Sequence, residues 1–414
     1  MIIRGKNIPA YKLPAKVVEK GISKVKEIYN HLYGEYCAQK KKGLDRAEST
    51  IEAAFIVQLP EIWNKEQSVF ETMLRDARFS PRLIVVPSYD FANDRIRTYG
   101  EELDYFTRLY GSRYILTAKE LGEDFSGIRR QKFDYVFYQR CWEAYLPKAL
   151  RSHELNKYFK LCYIPYCFHM FLEPRIYYKT PFFENMYITF ASSSGQYEAM
   201  RGYGFKRAVF MGFPSLEDSA AAKREGTRAL KNVLWTPRWR EEDEYGGSSF
   251  FRYKESIFEL QKRIQGIRLI FRPHPMLFEN AIKENKMTAA EVENYKNRCL
   301  EQGIIIDTNA NIDDTLRETD ILLTDFSSII MNAFMQGIPI VYLNGLPDLE
   351  PYEPFRSVMS LLYYSENWEN AVAYVASILR GQDVMEEARL KLIDRVVLEN
   401  KNSPDRILQY LSEA

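Results

Sequence analysis

Three short segments of the sequence place chemically active side chains where a predicted strand ends. They are TPRWR (236–240), RPHP (272–275) and TDFSS (324–328). Guanidinium groups bind phosphates through paired hydrogen bonds, and imidazole transfers protons near neutral pH. Hydroxyls beside the free amides of a helix start bind anions. Together these side chains favour a site for a nucleotide diphosphate.

The two basic segments each leave two interpretations open. Arg238 and Arg240 flank a tryptophan, and they either clamp a phosphate or form a surface pair at the start of a loop. Arg272 and His274 follow the apolar run RLIF, and the prolines around His274 stiffen the exit from that strand. A lone histidine is more often structural, but the neighbouring arginine favours acid–base or phosphate chemistry at His274.

The segment TDFSS precedes a predicted helix. Helix capping explains one serine, because a hydroxyl satisfies an amide that the first turn leaves unpaired. Capping requires neither a second serine nor a threonine, and the dipole of the helix would attract an anion. We therefore expect three hydroxyls to bind phosphate here, those of Thr324, Ser327 and Ser328.

Apolar runs that alternate with helical patterns predict two parallel α/β sheets. One series is 53–59, 82–90, 113–120, 133–139, 160–167 and 186–193, and the other is 231–239, 266–275, 303–308, 320–324 and 338–343. The expected fold is α/β, with two Rossmann-like lobes whose sheets face a central cleft and ligands beyond the carboxyl ends of the strands. We divide the chain into a basic amphipathic segment (1–50), an N-terminal acceptor lobe (51–220), a C-terminal nucleotide lobe (221–390) and a C-terminal helix (391–414).

His169 is the candidate for chemistry in the N-terminal lobe. It follows the predicted strand KLCYIPYC and would face the cleft, and a packed or capping role is the alternative. Ser192, Ser193 and Ser194 also follow a strand, but the nucleophile elbow Gly-x-Ser-x-Gly is absent. These serines are interpreted as a turn.

Composition excludes several classes of function. The 414 residues are 46% hydrophobic and 27% charged with a net charge of +1, so no overall field attracts nucleic acid. The sequence has neither an apolar run long enough to span a bilayer nor a secretory signal at its start, which predicts a cytoplasmic protein. Scattered cysteines and the lack of an Asp-x-Asp triplet predict metal-independent chemistry, and no cofactor is expected.

The first fifty residues carry eleven Lys or Arg against five Asp or Glu. Within residues 15–42 apolar positions recur every three or four residues, which predicts an amphipathic helix with lysines beside its apolar stripe. Such a helix either lies on an anionic membrane surface or packs on its own domain. The first alternative would make the protein peripheral on the inner face of the cell membrane.

The three segments, with MNAFMQGIPIVYL after TDFSS, resemble the C-terminal lobe of CDP-glycerol glycerophosphotransferases. These are teichoic-acid and capsule polymerases of GT-B architecture. The resemblance is specific over 231–345 and looser over 51–230. It implies that His274 is catalytic and that a group of neighbouring side chains lines the CDP-glycerol pocket: Arg272, Thr324, Asp325, Ser327 and Ser328.

The chain departs from the family pattern at two places. The family commonly shows Asp-Tyr-Ser-Ser followed by a second aspartate, where this chain has Phe326 and Asn332. The family motif Trp-His-Gly is absent, and His169 stands at a comparable place after a strand. We therefore assign to His169 the role that the catalytic histidine of that motif has in the family.

The resemblance implies transfer of glycerol phosphate, or a related polyol phosphate, from a CDP-activated donor. The acceptor would be a hydroxyl of a glycan or polyol-phosphate polymer, free or lipid-linked, with His169 as general base. Three alternatives stay open. They are a GT-B glycosyltransferase that uses a nucleotide sugar, a UDP-sugar 2-epimerase with a similar turn, and a non-catalytic membrane-associated scaffold of the same fold.

Overall fold

The structure, a computed structural model, describes residues 2–3, 6–7, 50–90, 95–96, 98–173, 175–221, 229–240, 246–309, 311–344 and 349–414. The predicted helix within 15–42 and its membrane contact lie outside these residues. Among the helices that are described, none is both long enough and apolar enough to cross a bilayer.

The first parallel sheet in the described part of the chain has seven strands. They are β1 (Ile51–Val57), β2 (Phe79–Val85), β3 (Ile115–Leu116), β4 (Tyr135–Tyr138), β5 (Lys160–Tyr163), β6 (Ile188–Phe190) and β7 (Ala208–Val209). Their order is β7-β6-β5-β4-β1-β2-β3. Phe55 and Val57 belong to one core cluster, and Ala54 and Ile56 belong to another. Strand β1 is therefore buried on both faces, as in a sheet covered on both sides.

The second parallel sheet has six strands among the described residues. They are β8 (Lys231–Thr236), β9 (Ile267–Phe271), β10 (Ile305–Ile306), β11 (Ile321–Thr324), β12 (Ile340–Tyr342) and β13 (Tyr363–Tyr364), in the order β10-β9-β8-β11-β12-β13. Trp235 pairs with Phe271, and Thr236 pairs with Thr324. This register brings the carboxyl ends of β8, β9 and β11 to one edge of the sheet.

Helices connect and cover the strands. In the first lobe they are α1 (Gln67–Arg75), α2 (Glu101–Tyr110), α3 (Ala118–Leu121), α4 (Ser152–Leu155), α5 (Pro181–Asn185), α6 (Ser194–Gly202) and α7 (Pro214–Ala221). In the second they are α8 (Phe250–Tyr253), α9 (Ile257–Arg263), α10 (Leu277–Lys283), α11 (Ala289–Glu301), α12 (Ile312–Arg317), α13 (Ile329–Met335), α14 (Phe355–Met359) and α15 (Trp368–Leu379). The chain ends with α16 (Glu386–Asn400) and α17 (Ser403–Glu413).

The prediction of two parallel α/β sheets is confirmed, but some predicted strands are too long. The run 113–120 contains only the two residues of β3, because Thr117 caps helix α3 through a reciprocal capping box with Glu120. The short strands β7 and β13 were not predicted. Two residues are too few to carry a recognisable alternation of apolar and polar side chains.

The C-terminal helix α17 packs against the first lobe. The Tyr135 hydroxyl of β4 donates to the Leu411 carbonyl at 2.8 Å, and the Lys160 ammonium of β5 donates to the carbonyl of Ala414 at 3.1 Å. Gly212 has φ +85°, and a Cβ there would lie 2.8 Å from the side chain of Ser403. The chain therefore needs glycine at position 212, where it leaves the first lobe and passes close to the start of helix α17.

Candidate active site

The loops that follow β8, β9 and β11 meet at one edge of the second sheet. The Thr236 hydroxyl donates to the Thr324 hydroxyl at 2.7 Å, and the Thr324 hydroxyl can donate to the Thr236 carbonyl at 3.2 Å. Thr324 is fully buried, so it joins the ends of two strands below the surface. The structure places this predicted phosphate-binding residue in a supporting position.

Asp325 is also fully buried, and it organises the backbone of two loops. Its Oδ2 accepts hydrogen bonds from the amide of Arg238 at 3.0 Å and from the amide of Ser249 at 2.8 Å. Burial raises the pKa of Asp325, and the hydrogen bonds from Ser249 and Arg238 oppose that rise. Asp325 thus fixes the loop that carries Arg238 instead of pointing into the cleft.

His274 lies at the surface of the site. Its Nδ1 accepts a hydrogen bond from the amide of Met276 at 3.2 Å, so in the neutral ring the proton is on Nε2. Neighbouring protein atoms displace part of the water around the ring, and this desolvation lowers the pKa of His274 to about 4. The Arg238 guanidinium lowers that pKa further. The Trp239 ring lies 6.0 Å away, centroid to centroid. A neutral imidazole with Nε2–H available can donate a hydrogen bond to a phosphate oxygen.

Arg238 lies between His274 and the TDFSS turn. Its guanidinium is 5.4 Å from the centroid of the Phe326 ring, and its Nη1 donates to the Phe326 carbonyl at 3.4 Å. The Ser327 hydroxyl accepts from the amide of Ile329 at 3.3 Å, whereas the side chain of Ser328 makes no capping bond. Both serines are partly exposed at the rim of the site.

Helix α13 has only seven residues. Its dipole is therefore a weak source of attraction for an anion, in contrast to the expectation from sequence. The side chains around the turn are therefore better candidates than the helix dipole for contact with a diphosphate.

The other two predicted arginines have different surroundings. Arg272 Nη1 lies 2.5 Å from Asp307 Oδ2, and that oxygen also accepts from the Thr315 hydroxyl at 2.6 Å. The charge of Arg272 is thus already balanced by a carboxylate. The Arg240 guanidinium is exposed and lies 4.7 Å from the centroid of the Trp239 ring.

His169 is buried at the carboxyl edge of the first sheet. Its amide donates to the Ser192 hydroxyl at 3.0 Å, and its Nδ1 lies 3.4 Å from Glu173 Oε1. A carboxylate at Nδ1 favours the tautomer with its proton on that atom, which leaves the Nε2 lone pair to accept a proton. Ser193 caps helix α6 by accepting from the amide of Gln196, as expected for turn chemistry.

The segment that follows His169 crosses to the second lobe. The Phe171 ring lies 5.0 Å from the Phe326 ring, and the amide of Tyr352 donates to the Met170 carbonyl at 2.8 Å. A Cβ on Gly195 would lie 2.8 Å from the carbonyl oxygen of Glu353, so the two lobes approach closely there. The TDFSS turn and the His169 segment are therefore in physical contact.

The sequence analysis did not identify three residues that support the site. Glu173 stands four residues after His169 in a segment without helical periodicity, so the spacing carried no signal. Ser249 lies in a loop that gives no pattern. Asp307 ends the run GIIIDT, and a carboxylate at a strand end could have been recognised as the partner of Arg272. No group of three or more His, Cys, Asp or Glu side chains in the described ranges could hold a metal ion.

The two parallel sheets with their covering helices are Rossmann-like lobes, and the chain has GT-B architecture. Residues 198–412 match the model of the family described as CDP-Glycerol:Poly(glycerophosphate) glycerophosphotransferase. This match covers more than half of the chain, which therefore belongs to that family of transferases. No curated protein matches the chain in sequence.

Solved structures share the fold at low sequence identity. A variant of the wall teichoic acid polymerase TagF soaked with CDPG has a TM-score of 0.54 and 13% identity, over 95% of this chain and 98% of that one. The UDP-GlcNAc 2-epimerase from Neisseria meningitidis bound to UDP-GlcNAc has a TM-score of 0.57 and 11% identity, over 88% of this chain and 100% of that one. The Methanocaldococcus jannaschii UDP-GlcNAc 2-epimerase has a TM-score of 0.54 and 15% identity, with coverages of 88% and 100%.

Proposed function

We propose that this enzyme transfers glycerol phosphate from CDP-glycerol to a hydroxyl of a surface polymer, such as a teichoic acid or a capsule strand. The acceptor oxygen forms a bond to the phosphorus that carries glycerol, and the bond from that phosphorus to the CMP oxygen breaks. CMP leaves, and the proton of the acceptor hydroxyl passes to a base. The convergence of the three strand-end loops in a member of this family carries the proposal.

His169 acts as that base in the proposed mechanism. Glu173 orients the ring through Nδ1 and stabilises the imidazolium that forms, so Nε2 takes the proton. The contact between Phe171 and Phe326 keeps the segment that carries His169 against the donor loop. Because this geometry depends on both lobes, relative movement of the lobes would open and close the reaction site.

The donor diphosphate is bound by the second lobe. Nε2–H of His274 and the guanidinium of Arg238 donate to phosphate oxygens and stabilise the charge that grows on the leaving CMP. The hydroxyls of Ser327 and Ser328 add hydrogen bonds at the rim. Thr324 and Asp325 support this arrangement from below.

Arg272 and Arg240 have secondary roles in the proposal. Arg272 forms an ion pair with Asp307, in which the two charges cancel. This pair gives rigid support to the segment that carries His274. Arg240 is exposed on Trp239 and reaches the donor only by leaving that ring.

A donor panel with product analysis tests the proposal. CDP-glycerol, CDP-ribitol, UDP-GlcNAc and UDP-glucose are each incubated with the full chain and an acceptor, and nucleotide products are separated by chromatography. Release of CMP with transfer of phosphorus to the acceptor supports the proposal. Release of UDP favours a glycosyltransferase, formation of an epimer favours an epimerase, and binding without turnover favours a scaffold.

We further propose that residues 15–42 bring the enzyme to the cytoplasmic face of an anionic membrane, where a lipid-linked acceptor would lie. The excess of lysine in this part of the sequence supports the proposal. Co-sedimentation of the full chain with phosphatidylglycerol vesicles tests it, with a variant in which Lys16, Lys20 and Lys24 are changed to Glu. Equal sedimentation of both proteins would contradict membrane binding through this segment.

A further inference from the structure

A buried arginine outside the donor site lies at the carboxyl edge of the first sheet. Arg140 follows β4 by two residues, and its side chain is only 7% exposed. Its Nη2 donates to Oε1 of Gln58, the residue that follows the neighbouring strand β1. The Gln58 side chain is itself held in place, because its Nε2 donates to the Pro87 carbonyl at 2.6 Å. The guanidinium is therefore rigidly placed at the edge where ligands of parallel sheets bind.

The positive charge of Arg140 is offset only at a distance, by the exposed carboxylate of Glu61. Within the residues that the structure describes, no ion pair includes Arg140, and its buried Nε has no hydrogen-bond acceptor. The guanidinium lies 5.1 Å from the centroid of the Tyr145 ring, which supplies only a weak contact for the charge. Burial lowers the pKa of Arg140, although the group stays charged at neutral pH. A buried charge without a counter-ion in direct contact is unfavourable, so a bound anion would stabilise this arrangement.

The residue after Arg140 is connected to the proposed general base through two contacts. The thiol of this residue, Cys141, lies 3.5 Å from the Tyr177 hydroxyl. The Tyr177 ring in turn lies 5.9 Å from the ring of His169, centroid to centroid. Strands β4 and β5, which deliver Arg140 and His169, are neighbours in the sheet. A molecule that presents a hydroxyl to His169 would therefore extend along the edge that contains Arg140.

An exposed aromatic surface lies beside the buried charge. Trp142 is 47% exposed, whereas the other four tryptophans, which also lie in described ranges, are buried or partly buried. Its ring lies 4.8 Å from the ring of Tyr166, at an angle of 54°. A tryptophan held in one orientation at the surface offers an apolar face to the carbon skeleton of a sugar or polyol.

We propose that Arg140 and Trp142 form an acceptor subsite for a polyol or glycan strand that carries a phosphodiester. Arg140 forms paired hydrogen bonds with the phosphodiester, and Trp142 packs against the adjoining carbon skeleton. The assignment of this ligand as the acceptor rests on the proposed glycerophosphotransferase function. The subsite lies in the first lobe and is distinct from the donor side chains around His274.

Kinetics with two acceptor probes test the subsite. Glycerophosphoglycerol has terminal hydroxyls and one phosphodiester, and triglycerol has the hydroxyls without the charge. We expect R140Q to raise KM for glycerophosphoglycerol by about tenfold or more, since a charge-assisted hydrogen-bond pair is lost. KM for triglycerol and KM for CDP-glycerol should stay within about twofold of wild type, whereas W142A should raise KM for both acceptors.

Matched controls separate binding from folding. R129Q removes an exposed arginine that pairs with Glu154 at 3.1 Å on the surface, and we expect wild-type constants from it. R140K keeps a positive charge without the planar fork, so it should retain part of the affinity if R140Q fails to fold. Unchanged KM for glycerophosphoglycerol in both folded Arg140 variants would overturn the subsite.

A binding measurement distinguishes failure of the subsite from failure of the proposed function. Titration of the full chain with glycerophosphoglycerol is followed by tryptophan fluorescence, with W142F to identify the reporting ring. If wild-type protein binds the probe through Arg140 but does not turn over CDP-glycerol, the proposed glycerophosphotransferase function is wrong, whereas the Arg140 subsite is supported. Absence of any binding that depends on Arg140 contradicts the subsite, whether or not transfer is observed.

Discussion

The ring of Phe171 in the first lobe lies 5.0 Å from the ring of Phe326 in the second, centroid to centroid. Phe171 follows the proposed base by two residues, and Phe326 lies inside the TDFSS turn of the donor site. Phe171 also contacts the Phe355 ring edge-on at 5.5 Å. This aromatic contact thus joins the two halves of the proposed reaction site.

Removal of this ring should impair catalysis more than donor binding. F171A deletes a side chain that is 4% exposed, so we expect a loss of about 3–5 kcal/mol in the free energy of unfolding, measured by denaturant titration. We also expect kcat to fall, because His169 loses its support, while CDP-glycerol still binds to the second lobe. F171L should retain most of the stability and activity. Equal kcat in F171A and wild type would contradict a role for this contact.

Donor affinity should depend on pH through His274. The pKa of the free ring is about 4, and an anionic diphosphate beside it would raise that pKa. The complex then takes up a proton as pH falls, so affinity for CDP-glycerol should rise between about pH 7 and pH 5. Both phosphates of CDP-glycerol are esterified, and their charge does not change over this range.

Isothermal titration calorimetry at several pH values measures this effect. H274Q cannot take up the proton and serves as the control, so its affinity should be nearly independent of pH. The same pH dependence in H274Q and wild type would show that another group is responsible.

Removal of the Asp325 carboxylate tests its supporting role, because its Oδ2 accepts two backbone hydrogen bonds. D325A leaves the buried amides of Arg238 and Ser249 without their acceptor, which should cost about 2–5 kcal/mol in stability and weaken donor binding. D325N keeps one carbonyl oxygen and should lose much less. If D325N abolishes donor binding while the protein remains stable, the carboxylate would instead contact the donor directly.

Asn332 occupies a buried polar cluster between the lobes. Its Nδ2 donates to the Ser219 hydroxyl at 2.7 Å and to Asp313 Oδ1 at 3.2 Å. N332D would place two carboxylates in contact, and we expect a loss of about 1–3 kcal/mol in stability. The double variant N332D/D313N restores one donor and one acceptor and should recover most of that loss, as measured by thermal unfolding. The Lys65 ammonium and Asn332 Nδ2 both donate to the Ser215 hydroxyl, at 2.7 and 3.3 Å. Full stability of N332D alone would mean that Lys65 balances the added charge.

The sequence predicts the sheets and the three strand-end loops because their signals are local. Buried parallel strands are apolar runs, and β8, β9 and β11 end where Pro237, Pro273 and the TDFSS turn interrupt them. The register that brings these ends together follows from parallel pairing in one sheet.

The pairing of individual side chains could not be predicted in the same way. Thr324 and Asp325 turn inward because partners 88 and 87 residues away, Thr236 and Arg238, are hydrogen-bonded to them. Arg272 is likewise neutralised by Asp307 across a neighbouring strand. Such partners are distant in sequence, so residue type alone does not show whether a polar side chain faces the ligand or the core.

Transfer of phosphorus from CDP-glycerol by wild type and H274Q is the most direct measurement. Products are followed by ³¹P NMR and nucleotide chromatography with glycerophosphoglycerol as acceptor. We expect wild type to release CMP and form a new phosphodiester, and H274Q to lose about 100-fold or more in kcat with donor affinity near neutral pH largely retained. Undiminished turnover in H274Q, or transfer from a UDP-sugar and not from CDP-glycerol, would contradict the account.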